Sequence, residues 1–361
     1  MCQRPHVHRR PHSIFCILPP HILVQIAKNG TPVERSWALD TLSMDASVRQ
    51  FRATVATARA FSPIRLGSPM PGTRPAMKRT IYSAGQVEEL PGKPVRLEGS
   101  AAGTDLAVNE AYDGLGATFD FFLEEYQRNS IDNGGMPLNA TVHFGRDYDN
   151  AFWNGQQMVF GDGDGTLFNR FTSSLDVIGH ELTHGVTEFE SGLQYQGQSG
   201  ALNESLSDVF GVLIKQYSLK QTADQADWLI GAELLIAAPG RTALRSMKEP
   251  GTAYDDPILG KDPQPGHMKE YVNTVSDNGG VHINSGIPNK AFYLAASAIG
   301  GFAWEKAGRI WYETLLDPGL KTNTNFRAFA KLTVGNAVKL FGAASTESAA
   351  VQSAWKGVGV L

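Results

Sequence analysis

The sequence predicts an α+β protein whose strands come early and whose helices come late. Three observations carry that expectation. Short apolar runs at 141–144 and 157–160 read as strands, broken by the glycine turns Asn133-Gly134-Gly135 and Gly161-Asp162-Gly163-Asp164-Gly165. One long amphipathic helix at 106–126 lies before them, with Ala111, Leu115, Phe119, Phe122 and Tyr126 along one side. From about Leu175 onward the periodicity is helical, with few strand signals.

The elements follow in order. Residues 1–61 hold an apolar segment at 22–27, the turn pair Asn29-Gly30 and a helix at 36–60. In that helix Leu39, Leu42, Met44, Val48 and Phe51 recur near three-to-four spacing. Residues 62–79 turn Pro/Gly-rich and basic, which suits a flexible, protease-accessible linker. The rest reads as one long unit in two halves, 80–186 and 187–361. Asp162 and Asp164 suit a tight turn, because the segment lacks the later acidic positions of a calcium-binding EF-hand loop.

Composition narrows the classes. The 361 residues are 42% hydrophobic and 19% charged, as expected of a chain that buries a real core. No run approaches the ~18 apolar residues of a membrane span. A net charge of −4 gives no reason to expect nucleic acid as a partner. The two cysteines are Cys2 and Cys16, so a disulfide framework, a cysteine-ligated zinc ribbon and a thiol protease with its nucleophile in the body are excluded. Arg4, Arg9 and Arg10 precede an apolar run at 13–18. Pro19, Pro20 and His21 then interrupt it with no small-residue cleavage site, so no conventional signal peptide is expected.

The sharpest chemical signal is His180-Glu181-Leu182-Thr183-His184. Ser173 and Ser174 offer an N-cap, and Leu175, Val177, Ile178 and Leu182 supply the apolar side of a helix. A spacing of four puts both imidazoles on one face, where their nitrogens can converge on one Zn²⁺. Glu181 then sits beside the metal, placed to take a proton from a metal-activated water. A catalytic zinc site needs a third protein ligand, and Gly200-Ala201-Leu202-Asn203-Glu204-Ser205-Leu206-Ser207-Asp208 supplies carboxylates on a second helix. Glu204 and Asp208 share a face, so one can bind metal while the other accepts the spare N–H of a ligand histidine. A third cluster, Asp277-Asn278-Gly279-Gly280-Val281-His282, has a glycine pair that lets the backbone turn and present a histidine to a cleft; taken alone, it equally suits a hydrogen-bonded structural histidine. Asp277 is placed to fix its tautomer and favour the protonated ring.

HELTHGVTE, GALNESLSD and DNGGVHINSG, in this order, closely resemble the thermolysin-like family of zinc metallopeptidases, from about Thr80 to the C-terminus. The resemblance implies a two-lobed catalytic unit, a β-rich lobe ending in the active-site helix (80–186) and a helical lobe (187–361). It implies His180, His184 and Glu204 as ligands of one catalytic Zn²⁺ and Glu181 as general base. Asp208 and Asn203 match partners of the two histidines, Tyr195 and His282 the groups that stabilise the tetrahedral intermediate, and Asp277 the residue that orients His282. Asn150-Ala151-Phe152-Trp153 resembles the edge strand that bonds the substrate backbone, and Arg245 the arginine that holds the carbonyl after the cut. Phe168, Val177, Ile230 and Leu244 match positions lining the pocket for the following residue. All are apolar, so the implied preference is for cleavage before bulky hydrophobic residues.

Family members often hold a calcium pair beside the active-site helix. Asp176 and Asp227 match two ligands, but Lys215 and Ala232 stand where others belong. The expectation is that Lys215 replaces the calcium pair by ion-pairing with Asp176 and Asp227; the alternative is that Lys215 faces solvent and one calcium survives. The segment from Phe15 to Leu23 resembles the short propeptide of the protealysin-like subgroup, implying a self-inhibited precursor with residues 1–61 as propeptide and processing within 62–79. Cys16 is either a small docking residue or a thiolate that occupies the open zinc position as a latency switch. The basic run His6–His12 suits a disordered tail. Peptide and protein substrates, a monomer, no nucleic acid and no membrane follow. The place of action is extracellular without a conventional signal, or cytoplasmic for the precursor. The rivals are a catalytically silent zinc-stabilised binding protein and a zinc amidohydrolase.

Overall fold

The structure is a computed structural model that describes residues 15–59 and 75–361. The linker up to residue 74, the run His6–His12 and Cys2 lie outside the described residues.

Strand β1 (Phe15–Cys16) leads into α1 (Pro20–Asn29) and α2 (Pro32–Arg59). The expected apolar segment at 22–27 is thus the buried part of α1, which starts on Pro20, a residue whose fixed φ suits the first helical turn. Helix α2 begins four residues before its expected start. Thr31 and Glu34 form a reciprocal cap: Thr31 N donates to Glu34 Oε2 at 2.6 Å, and Glu34 N to Thr31 Oγ1 at 3.3 Å. That pattern was present in the sequence, ahead of the apolar periodicity.

Strands β2 (Arg79–Ser83) and β3 (Lys93–Leu97) precede α3 (Leu106–Tyr126). Asp105 caps α3 by accepting from Val108 N. Strands β4 (Leu138–Val142), β5 (Ala151–Trp153) and β6 (Met158–Phe160) complete a mixed six-stranded sheet in the order β1-β5-β6-β4-β2-β3. β4 starts and ends earlier than the run at 141–144 predicted. Asp164 closes the glycine-rich turn as expected, its Oδ1 accepting from the amides of Thr166, Leu167 and Phe168.

The second half is built on α4 (Leu175–Glu190) and α5 (Gly197–Leu219). The two pack closely because both carry glycine at the contact. A Cβ on Gly211 would meet the Asp176 carbonyl oxygen at 2.4 Å, and one on Gly179 would meet Ile214 Cδ1 at 2.7 Å. The short ribbons β7 (Leu229–Ile230) with β8 (Arg245–Ser246) and β9 (Asp255–Asp256) with β10 (Gly260–Lys261) follow. The chain ends in α6 (Asp277–Asn284), α7 (Gly286–Ile299), α8 (Ala307–Leu316), α9 (Phe326–Phe341) and α10 (Thr346–Gly357). α6 opens with left-handed residues, Asn278 at φ 50°, Gly279 at 83° and Gly280 at 75°, the tight turn predicted before His282. One hydrophobic core runs through both halves and takes in Ile17, Leu18, Ile22, Leu23 and Ile26 of the N-terminal segment. No helix among the described residues is long and apolar enough to cross a membrane.

Candidate active site

Helix α4 is buried from Asp176 to Thr187, so His180, Glu181 and His184 sit between the lobes without solvent contact. His180 Nδ1 donates to Asp208 Oδ1 and His184 Nδ1 to Asn203 Oδ1, both at 2.8 Å. With the Nδ1 protons committed, the two Nε2 atoms face each other 3.0 Å apart. Glu204 of α5 completes the group, its carboxylate oxygens 3.5 Å from each Nε2. Glu204 Oε2 is buried with no hydrogen-bond partner among the described residues. Burial, and then the neighbouring His180, push the His184 pKa well down, which keeps its lone pair available. Two inward-facing imidazole nitrogens and an orphaned carboxylate oxygen form a donor set that fits zinc. Among the described residues these three are the only His/Cys/Asp/Glu group close enough to share one metal ion.

Around this group the other predicted residues converge. Glu181 Oε2 accepts from Trp153 N at 3.0 Å, which ties it to β5. Asp208 is fully buried and takes a bidentate bond from Arg245, Nε to Oδ2 at 2.9 Å and Nη2 to Oδ1 at 2.8 Å. Burial alone would raise its pKa, but Arg245 and His180 hold it well below the usual carboxylate range. Tyr195 OH donates to Glu204 and lies 3.2 Å from His282 Nε2. His282 Nδ1 donates to Asp277 Oδ1 at 2.6 Å, and its backbone N to Asp277 Oδ2 at 2.9 Å. Burial works against a charged ring, yet Asp277 and then Glu204 raise the His282 pKa to about 9. Phe168, Val177, Ile230 and Leu244 are all buried in the common core.

The outer side of the expected edge strand, β5, is taken up by the protein itself. β1 pairs antiparallel with β5, Cys16 opposite Phe152, so the protein's own N-terminal segment runs along it. Ile17 N donates to Ala151 O at 3.3 Å and Leu18 N to Asn150 Oδ1 at 3.1 Å. Arg245 Nη1 donates to Ile17 O at 3.1 Å, and His282 Nε2 lies 3.1 Å from Cys16 O. Cys16 therefore offers its carbonyl to the site. Its side chain packs instead with Ala84, Phe144, Tyr148, Phe152 and Val159, and among the described residues no cysteine joins the metal-binding group. This corrects the thiolate-switch expectation: pairing with β5 fixes which way each side chain of β1 points, and for Cys16 that is into the aromatic cluster.

Lys215 is buried, with Nζ 3.2 Å from both Asp176 Oδ2 and Asp227 Oδ2. Glu233, beside Ala232, is a third partner at 3.5 Å that sequence reasoning missed. Ser174 does precede α4, but its hydroxyl caps no amide. Its Oγ lies 2.6 Å from Asp176 Oδ1 and 2.8 Å from Glu233 Oε2, joining the lysine cluster instead. Also missed were Asp45 of α2, which accepts from Tyr148 OH and Asn150 Nδ2 at 2.6 and 3.0 Å, and His21 of α1, whose Nε2 lies 3.0 Å from Tyr254 OH. Neither had a local signal, since both meet partners more than a hundred residues away.

Comparison with known proteins agrees with this geometry. Residues 78–188 match the family model described as thermolysin metallopeptidase, catalytic domain, and residues 191–360 the model of its alpha-helical domain. The chain is 55% identical to a protein named extracellular metalloprotease from Pectobacterium carotovorum subsp. carotovorum, covering 97% of this chain and 98% of that one. It is 50% identical to protease PrtS of Photorhabdus sp. (strain Az29), covering 95% and 91%. The solved precursor of protealysin, a metalloproteinase from Serratia proteamaculans, superposes with a TM-score of 0.86 at 54% identity, over 96% of this chain and 100% of that one. The chain therefore belongs to the thermolysin family of metallopeptidases, as a protealysin-like metalloendopeptidase.

Proposed function

We propose that this zinc endopeptidase is held latent by its own N-terminal segment and, once freed, cuts peptides before bulky hydrophobic residues. The observation that carries the reading is the backbone lying in the site. Cys16 O, Ile17 N, Ile17 O and Leu18 N engage His282, Ala151, Arg245 and Asn150 in turn, an antiparallel peptide held along its main chain. A substrate bound in the same manner places its scissile carbonyl where Cys16 O lies and a hydrophobic side chain where Ile17 is buried. Apolar Phe168, Val177, Ile230 and Leu244 support that preference.

Zinc held by His180, His184 and Glu204 would supply Lewis-acid polarisation of the carbonyl and acidify a water. Glu181 then takes the proton of the attacking water and delivers it to the leaving nitrogen. Protonated His282, held by Asp277, and the Tyr195 hydroxyl donate to the oxyanion that forms. Asp208 and Asn203 keep the two ligand rings in the tautomer that leaves Nε2 open. Residues 1–61 act as the propeptide, with processing within 62–79, and the two catalytic lobes divide near residue 186. Lys215 stands in for the calcium pair. The enzyme works as a monomer on peptide and protein substrates outside the cell, as the names of its relatives suggest.

The test is Glu181→Gln in the processed enzyme, assayed on a fluorogenic peptide with zinc content measured. Zinc should stay bound while kcat falls by about 10²–10⁴-fold. A folded, zinc-loaded variant within fivefold of wild-type kcat would remove Glu181 from the chemistry.

A further inference from the structure

Asp208 joins two parts of the site, the ligand ring of His180 and the guanidinium of Arg245, and a fourth donor completes its coordination. Asn289 Nδ2 donates to Asp208 Oδ2 at 2.8 Å. Oδ1 of the carboxylate is thereby shared between His180 Nδ1 and Arg245 Nη2, and Oδ2 between Arg245 Nε and Asn289 Nδ2. The three partners come from α4, β8 and α7; His180 belongs to the metal-binding group and Arg245 also bonds the docked segment at Ile17 O, whereas Asn289 lies outside the metal-binding group and bonds Asp208.

Asn289 is fully buried, and its Oδ1 has no hydrogen-bond partner among the described residues. A buried amide satisfied on one side only is a poor way to fill core volume, because a leucine occupies similar space with no polar atom to desolvate. The amide is accounted for by what it does to Asp208. A carboxylate clamped by Arg245 alone can swing with the guanidinium, whereas a donor from a separate helix fixes its plane. Asn289 sits one turn into α7, seven residues after His282, and the intervening turn is itself fixed by Gln264 Nε2 donating to His282 O at 2.7 Å and Ser285 Oγ at 3.1 Å. The segment that presents His282 thus also braces the far side of the zinc-ligand cluster.

We infer that Asn289 is a positioning residue that acts through Asp208, holding His180 in line for zinc and Arg245 in line for the substrate carbonyl. This inference rests on the functional reading above for the roles of His180 and Arg245.

The test uses Asn289→Leu and Asn289→Asp in the full chain and the processed enzyme. Two quantities are read: zinc affinity by chelator competition, and KM and kcat separately on a peptide extending past the cut. Loss of a partner to a metal-ligand system of this kind costs about 10–100-fold in affinity or activity. Asn289→Leu should weaken zinc binding about tenfold and raise KM several-fold, while its melting temperature stays near wild type. Asn289→Asp keeps the shape but sets a second carboxylate against Asp208, and it should lose more on both measures even if the leucine variant fails to fold. A folded variant of either kind with wild-type zinc affinity and KM within twofold overturns the positioning role. A wild-type protein that neither binds zinc nor cleaves peptides would instead overturn the functional reading, so the two failures are distinguishable.

Discussion

His21 is expected to make latency sensitive to acid, in a direction and by an amount that follow from its burial. Its imidazole is docked with Nε2 at Tyr254 OH, and Nδ1 has no partner among the described residues. Burial lowers its pKa from 6.5 to about 4; Asp277 opposes the shift, and His282 and Arg245 add to it. The docked segment therefore prefers the neutral ring, while the undocked segment titrates near 6.5. Docking is at full strength above pH 6.5 and weakens as pH falls toward 4, because proton uptake favours the undocked state. The full difference is worth about 3 kcal/mol. Between pH 7 and pH 5 the docking constant should fall by roughly 20-fold. The assay is the initial hydrolysis rate of the intact precursor divided by that of the processed enzyme at the same pH. The quotient cancels the pH dependence of the chemistry and of zinc binding. It should rise about 20-fold from pH 7 to pH 5 in the wild type and stay flat in His21→Gln. A wild-type quotient constant within twofold, or an equal rise in the variant, refutes the reasoning.

Three further predictions concern stability. Lys215→Met leaves Asp176 buried without its cation, a loss of about 3 kcal/mol, which scanning calorimetry should register as roughly 4 °C in Tm for a chain of this length. Micromolar calcium should leave the wild-type Tm unchanged, and a rise of several degrees would restore the calcium pair to this fold. His143 lies between Asp162 and Asp105, with Nδ1 at 2.8 Å and Nε2 at 2.9 Å, and the Asp162 hydrogen bond raises its pKa to about 9. A folded pKa above the unfolded 6.5 gives stability that is full below pH 6.5 and lost as pH rises through about 9. Urea midpoints should fall across that window in the wild type and fall less in Asp162→Asn.

The zinc-binding group was legible because its parts are local. A spacing of four on a buried helix brings His180 and His184 to one side, and the same spacing on α5 does so for Glu204 and Asp208. Gly279 and Gly280 announced the turn that presents His282 because left-handed backbone favours glycine. The lysine cluster was half legible: Asp176 and Asp227 were expected, but Glu233 enters through a loop whose course no periodicity describes, and Ser174, expected as a cap, turns toward the cluster instead.

The sequence alone brought out the His-His-Glu group, the glutamate beside its first histidine and the two-part organisation of strands then helices. These depend on residue type and on repeats within one element. Only the tertiary structure decided what the N-terminal segment does in the site. Leu18 meets Asn150 across 132 residues of chain, and Cys16 turns its carbonyl toward His282 while its sulfur packs against Phe144 and Phe152. Whether a strand shows a neighbour its carbonyl or its side chain depends on its pairing register, and here the partner strand lies far along the chain.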